Sequence, residues 1–62
     1  MQTLLSIQEV ADMLQLKVST IYDWVHRKKI KYVKMGGRVR FRLEDINALI
    51  NANTYEVQYV GV

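Results

Sequence analysis

The chain has 62 residues, half of them apolar, with no Pro and no Cys, which is enough for one small globular domain and too little for two. The lack of Cys, with His26 as the single His, excludes disulfide staples, thiol chemistry and a Cys/His metal centre. No apolar run approaches the roughly 20 residues that cross a bilayer, and the start Met1-Gln2-Thr3-Leu4-Leu5 has none of the regions of a signal peptide, so a cytoplasmic protein without membrane or cofactor is expected.

The net charge of +3 conceals an asymmetry. Arg27, Lys28, Lys29, Lys31, Lys34, Arg38, Arg40 and Arg42 carry eight positive charges with no acid between them, while Lys17 and the six acids leave the remainder at −5. Solvated charged faces normally mix both signs. This run therefore marks one end of the fold as an anion-binding surface.

In chain order, Ser6-Ile7-Gln8-Glu9 is a capping box, in which the Ser6 hydroxyl and the Glu9 carboxylate each satisfy a backbone amide of the other. A helix is expected from Ile7 to about Leu14, with Leu5 and Val10 as a hydrophobic staple and Ile7, Val10, Ala11 and Leu14 on its buried side. After the turn Gln15-Leu16-Lys17, the stripe Ile21, Trp24 and Val25 predicts a second helix from Val18 to Arg27. Two short helices so close together can share a core only by crossing steeply, as in a helix-turn-helix. The small Ala11 lets them approach, and Val10, Leu14, Leu16, Ile21 and Trp24 are the expected anchors.

From Ile30 the period changes to two, and Gly36-Gly37 separates Val33 and Met35 from Val39 and Phe41, which predicts a β-hairpin. A two-residue loop would put Val33 and Met35 on one face with three arginines. A three-residue loop, Gly36 to Arg38, pairs Met35 with Val39 and Val33 with Phe41, and burial of the apolar set favours this second register. Tyr32, Lys34, Arg40 and Arg42 are then outermost. Leu43, Ile46, Leu49 and Ile50 predict a third helix, with Glu44 and Asp45 at the positive end of its dipole and a stop at Asn51 or Asn53. The fold class is mainly α with a β-hairpin, a winged helix-turn-helix in residues 1–53. In the tail, residues 54–62, Tyr55, Val57 and Tyr59 alternate with polar residues, so the segment is either a strand or an apolar tail ordered by a partner.

The second helix turns Ser19, Asp23 and His26 outward, flanked by Thr20, Tyr22 and Arg27. Its N-terminal part is the one that enters a major groove in helix-turn-helix proteins, making Ser19, Thr20, Tyr22 and Asp23 the candidates for base edges. Asp23 either accepts from a cytosine amino group or pairs with Arg27 one turn later, the second being favoured. Lys17, His26, Arg27 and Lys28 are candidates for phosphates, as are Lys34, Arg38, Arg40 and Arg42 on the wing, whose charge also protects an edge strand from pairing. Trp24 belongs to the core. The acids form no paired carboxylates, and no active site is expected.

The runs Leu5-Ser6-Ile7-Gln8-Glu9-Val10-Ala11, Thr20-Ile21-Tyr22-Asp23-Trp24-Val25, Met35-Gly36-Gly37-Arg38-Val39-Arg40-Phe41 and Glu44-Asp45-Ile46 resemble the excisionase family. These small domains of mobile elements are related to the winged helix-turn-helix of the mercury-resistance regulators. The resemblance spans about residues 4–50. Where family members commonly have Gly in the turn, Ser capping the second helix and Pro near the first strand, this chain has Gln15, Lys17 and Lys31. It implies a double-stranded DNA partner, binding at adjacent sites, DNA bending and assistance to an integrase or other recombinase, with transcription regulation as the alternative role. Tyr55, Val57 and Tyr59 are then candidates for self-association or recombinase docking.

Overall fold

A computed structural model describes residues 3–57. Among these, the order is β1 (Leu4–Leu5), α1 (Ile7–Leu14), α2 (Val18–His26), β2 (Val33–Met35), β3 (Arg38–Arg42) and α3 (Leu43–Ala52). The strands form one antiparallel sheet with β3 in the middle, in the order β1-β3-β2. This is a winged helix-turn-helix, with β2 and β3 as the wing.

The local signals act as read. The Ser6 amide donates to Glu9 Oε1 at 3.0 Å and the Glu9 amide to Ser6 Oγ at 3.2 Å, so the capping box satisfies two amides that a helix start leaves open. The bond from the Ser6 amide, aided by the Ser6 hydroxyl and by the positive charge of Arg40, holds the Glu9 carboxyl below its ordinary range. Val10, Ala11, Ile21, Ile30, Phe41 and Ile46 are buried together, with Leu5, Ile7, Leu14, Trp24, Val25 and Leu49 among the residues packed around them. Trp24 is thus structural. Leu16, expected as an anchor, is 39% exposed and lines a groove with Leu14, Trp24 and Leu49 at the edge of the core.

α1 and α2 end alike. The amides of Gln15 and Leu16 donate to Asp12 and Ala11 carbonyls, and those of Lys28 and Lys29 to Val25 and Trp24 carbonyls, which is the Schellman pattern. Each depends on a left-handed residue, Gln15 at φ 55° and Lys28 at φ 56°. α2 stops one residue before the expected Arg27. Its N-cap, Lys17, makes no side-chain cap bond, as expected of a Lys where a hydroxyl would accept from the helix amides. At the far end of the chain, Asn53 closes α3, with its Nδ2 donating to the Leu49 carbonyl at 2.8 Å and the Thr54 hydroxyl to the Ile50 carbonyl at 2.7 Å.

The hairpin corrects the expected register. Val33 pairs with Arg40, Lys34 with Val39 and Met35 with Arg38, so the loop is Gly36-Gly37 alone. Both glycines have positive φ, 56° and 81°, as the tight hairpin turn whose twist matches the strands requires. Burial does not oppose this register, because the end of the wing lies beyond the core: residues 34–38 are all exposed. Lys34 therefore shares a face with Val39 and Phe41, not with Arg40 and Arg42. The pairing of Leu4 with Arg42 and Leu5 with Phe41 has no counterpart in the sequence reading, since a two-residue strand carries no periodic signal. Residues 54–57 form no strand, and Tyr55 and Val57 are 87% and 68% exposed. Tyr59 lies outside the described residues.

A non-glycine residue in the left-handed region costs about 1–2 kcal/mol, offset in part by the freedom that glycine loses on folding. Gln15 is exposed, so Gln15→Gly should stabilise the domain by about 0.5–1 kcal/mol, raising Tm by roughly 2–8 °C. Thermal unfolding followed by circular dichroism tests this, and an unchanged or lowered Tm would show that the Gln15 side chain contributes more than its backbone strain costs.

Candidate nucleic-acid interface

Two surfaces carry the residues singled out in the sequence. On α2, Ser19, Tyr22, Asp23, His26 and Arg27 are exposed while Thr20 is half-buried. The packing of α1 against α2, with Ala11 and Ile21 buried together, covers the other side of α2 and fixes this outward face. Tyr22 is 55% exposed, presenting a ring and a hydroxyl with no packing partner of its own in the core. Lys17 is exposed one residue before the helix, and Lys28 is exposed two residues past its C-terminal end. Cations at that end also complement the helix dipole.

Asp23 does not stand alone. Arg27 Nε lies 3.1 Å from Asp23 Oδ1, the i,i+4 pair that the spacing favours. With both side chains largely exposed the pair contributes at most a few tenths of a kcal/mol. Its larger effect is to cancel a negative charge where a polyanion would approach.

The fold divides the basic run among several places. Lys29 and Lys31 line a groove against α3 with Ile30, Asp45, Ala48 and Leu49. This follows from the left-handed turn at Lys28, which sends the chain back past the buried Ile30. On the wing, Arg40 is half-buried, its Nη1 donating to the Val39 carbonyl at 2.8 Å, and its charge acts on Glu9 of the capping box. Arg42 is also half-buried, with Nη1 4.0 Å from Asp45 Oδ2 and a buried Nε that has no hydrogen-bond partner among the described residues. Arg38 and Lys34, at the exposed end of the hairpin, make no ion pair among the described residues.

Sequence reading treats the wing cations as equivalent. The structure divides them into two that brace the fold and two that project beyond it. The signal for this division is the register, since Arg40 and Arg42 lie beside the strand and helix starts that Phe41 anchors. Chemically, the arrangement offers long cationic side chains and a helix face bearing short polar groups and an aromatic hydroxyl, a combination suited to phosphates and base edges. Among the described residues no group of three His, Asp or Glu side chains could hold a metal.

Comparison with known proteins adds one match, to a family described as a helix-turn-helix domain, over residues 4–54. That span runs from the first residue of β1 through the close of α3. No curated protein matches the chain.

Each phosphate contact contributes about −0.9 to the slope of log affinity against log salt on duplex DNA. Arg38→Ala should make that slope shallower by about one contact, and Arg40→Ala by clearly less, as its guanidinium already has partners in the fold. Fluorescence anisotropy titrations over a series of salt concentrations read both. Equal slopes for Arg38→Ala and wild type would show that the end of the wing does not meet the backbone.

Proposed function

The chain belongs to the helix-turn-helix domain family, and from that premise we propose that this DNA-binding module is an architectural factor that assists a recombinase in excising a mobile element. The observation that carries the reading is the ratio of gripping to reading groups. Lys17, His26, Arg27, Lys28, Lys34 and Arg38 are exposed around α2 and the wing, whereas only Ser19, Tyr22, the half-buried Thr20 and the paired Asp23 are placed to meet base edges. Phosphate contacts fix position and orientation without carrying sequence information. A protein so weighted toward the backbone holds DNA in a shape better than it picks one sequence out of many. The resemblance of residues 4–50 to excisionases supports the same role. Helix-turn-helix domains of this kind bring no catalytic residues, so the chemistry of strand exchange falls to the recombinase.

The discriminating experiment is footprinting across the ends of the element that encodes the chain and across its own promoter. Protection of several adjacent sites beside an attachment site, with excision depending on the protein, is the expected outcome. A single protected site at the promoter and unimpaired excision without the protein would replace this reading with a small transcriptional regulator of the same fold.

The reading includes a boundary at Asn53, where α3 closes, and a partner-docking tail beyond it. Tyr55 and Val57 are too exposed to stabilise the domain, and apolar alternation in an extended segment suits strand addition to a neighbouring protomer or a recombinase. Truncation after Asn53 should leave Tm and single-site affinity nearly unchanged while abolishing cooperative filling of adjacent sites or recombinase recruitment. A truncated domain that melts well below wild type would instead make the tail part of the core.

A further inference from the structure

The observed register turns the outer face of the sheet into a ladder of three rungs, each pairing an apolar residue with an arginine: Leu4 with Arg42, Val33 with Arg40 and Met35 with Arg38. Cross-strand partners share a face, their Cβ atoms about 5 Å apart. Going outward the rungs lose their packing. Leu4 is 40% exposed and Val33, Arg40 and Arg42 are half-buried, whereas in the outermost rung Met35 is 56% exposed and Arg38 is exposed with it.

A single exposed apolar side chain is ordinary on a protein surface. The place of Met35 is not, for it stands at the end of a cationic ribbon, between the exposed Lys34 and the loop and opposite Arg38, with more than half of its surface open among the described residues. Three residues beyond the buried Phe41, at about 3.3 Å per residue, put this end roughly 10 Å from that ring's place in the strand, one residue past Val39, which still packs against the core. The end is also narrow. Gly36 and Gly37 carry no side chains and have nothing within 4 Å of where a Cβ would be, so the loop is the slimmest part of the wing and the part whose backbone can approach a ligand most closely.

We propose that Met35 is a wedge: the end of the wing enters the minor groove, Met35 inserts between adjacent base pairs, and Lys34 and Arg38 hold the flanking phosphates. An unbranched, polarizable side chain can follow the gap between two bases without a fixed rotamer. Apolar wedges of this kind unstack a base step and kink the duplex toward the major groove by about 20–90°. The insertion favours pyrimidine–purine steps, which unstack most easily, so Met35 confers a preference for flexible steps at a position where no hydrogen bond reads the base. The inference rests on the wing meeting DNA, and it assigns the bend to one side chain.

The test compares wild type with Met35→Ala and Met35→Leu on an end-labelled duplex selected by the wild-type protein from random DNA, with 2-aminopurine at a TA step. Because Met35 is exposed, all three proteins should melt alike. Wild type and Met35→Leu should bring the labelled ends closer and raise 2-aminopurine fluorescence. Met35→Ala should lose most of both signals while keeping the wild-type salt slope. An unchanged bend in Met35→Ala, or a loss just as large in Met35→Leu, overturns the wedge. Failure of the wing to meet DNA is separately visible, as an Arg38→Ala slope equal to wild type on the same duplex.

Discussion

Phe41 lies in the middle strand of the sheet, opposite Leu5 of β1 and buried with Val10 of α1, Ile21 of α2 and Ile46 of α3. Burying such a ring stabilises a domain by about 1.5–3 kcal/mol, a large part of what so small a core can supply. Its position matters more than its size. β3 is the strand that both neighbours pair with, so fixing one of its side chains in the core fixes which way every other residue of the strand points. Phe41 and Val39 inward means Arg38, Arg40 and Arg42 outward, and the outer ladder is a consequence of one ring's burial.

That constraint weakens with distance along the wing, and the failures of sequence reading lie where it has faded. α1, α2 and α3 are legible because each shows an apolar stripe at helical spacing together with a start or stop signal, such as Ser6 with Glu9 or Asn53. The hairpin is legible as a hairpin. Its register is not, because the argument from burial assumes that Val33 and Met35 seek the core, whereas the turn at Gly36-Gly37 decides the pairing and the core does not extend so far. Turn chemistry is local and burial is not. Where no packing opposes it, a pair of glycines suited to a two-residue loop prevails.

The candidate site shows a similar division. Which residues face outward from α2 follows from Ile21 and Trp24 facing inward, and the Asp23–Arg27 pair follows from a spacing of four. Charge counted along the chain says nothing of what each cation already holds. Arg40 donates from Nη1 to the Val39 carbonyl, and Arg42 Nη1 lies 4.0 Å from Asp45 Oδ2 at the start of α3. Lys29 and Lys31 follow a left-handed residue that carries them toward α3. Thus eight cations in one run become several smaller groups, at the end of α2, in the groove against α3, and at the exposed end of the wing. Cations grouped at separated places can constrain the orientation of a polyanion more than one broad patch does.

The two helix ends explain how such a small domain accommodates this layout. Gln15 and Lys28 hold the same left-handed conformation and close the same pair of hydrogen bonds, and glycine would relax either backbone. At Gln15 the strain purchases no charge. At Lys28 a cation stands at the C-terminal end of α2, where the helix dipole attracts it and where the flank of the outward face needs positive charge. Glycine there would remove the strain and the charge together. The two positions are alike in geometry and differ in what a side chain can do from them, so relief of backbone strain costs no charge at Gln15 and removes a cation from the end of α2 at Lys28.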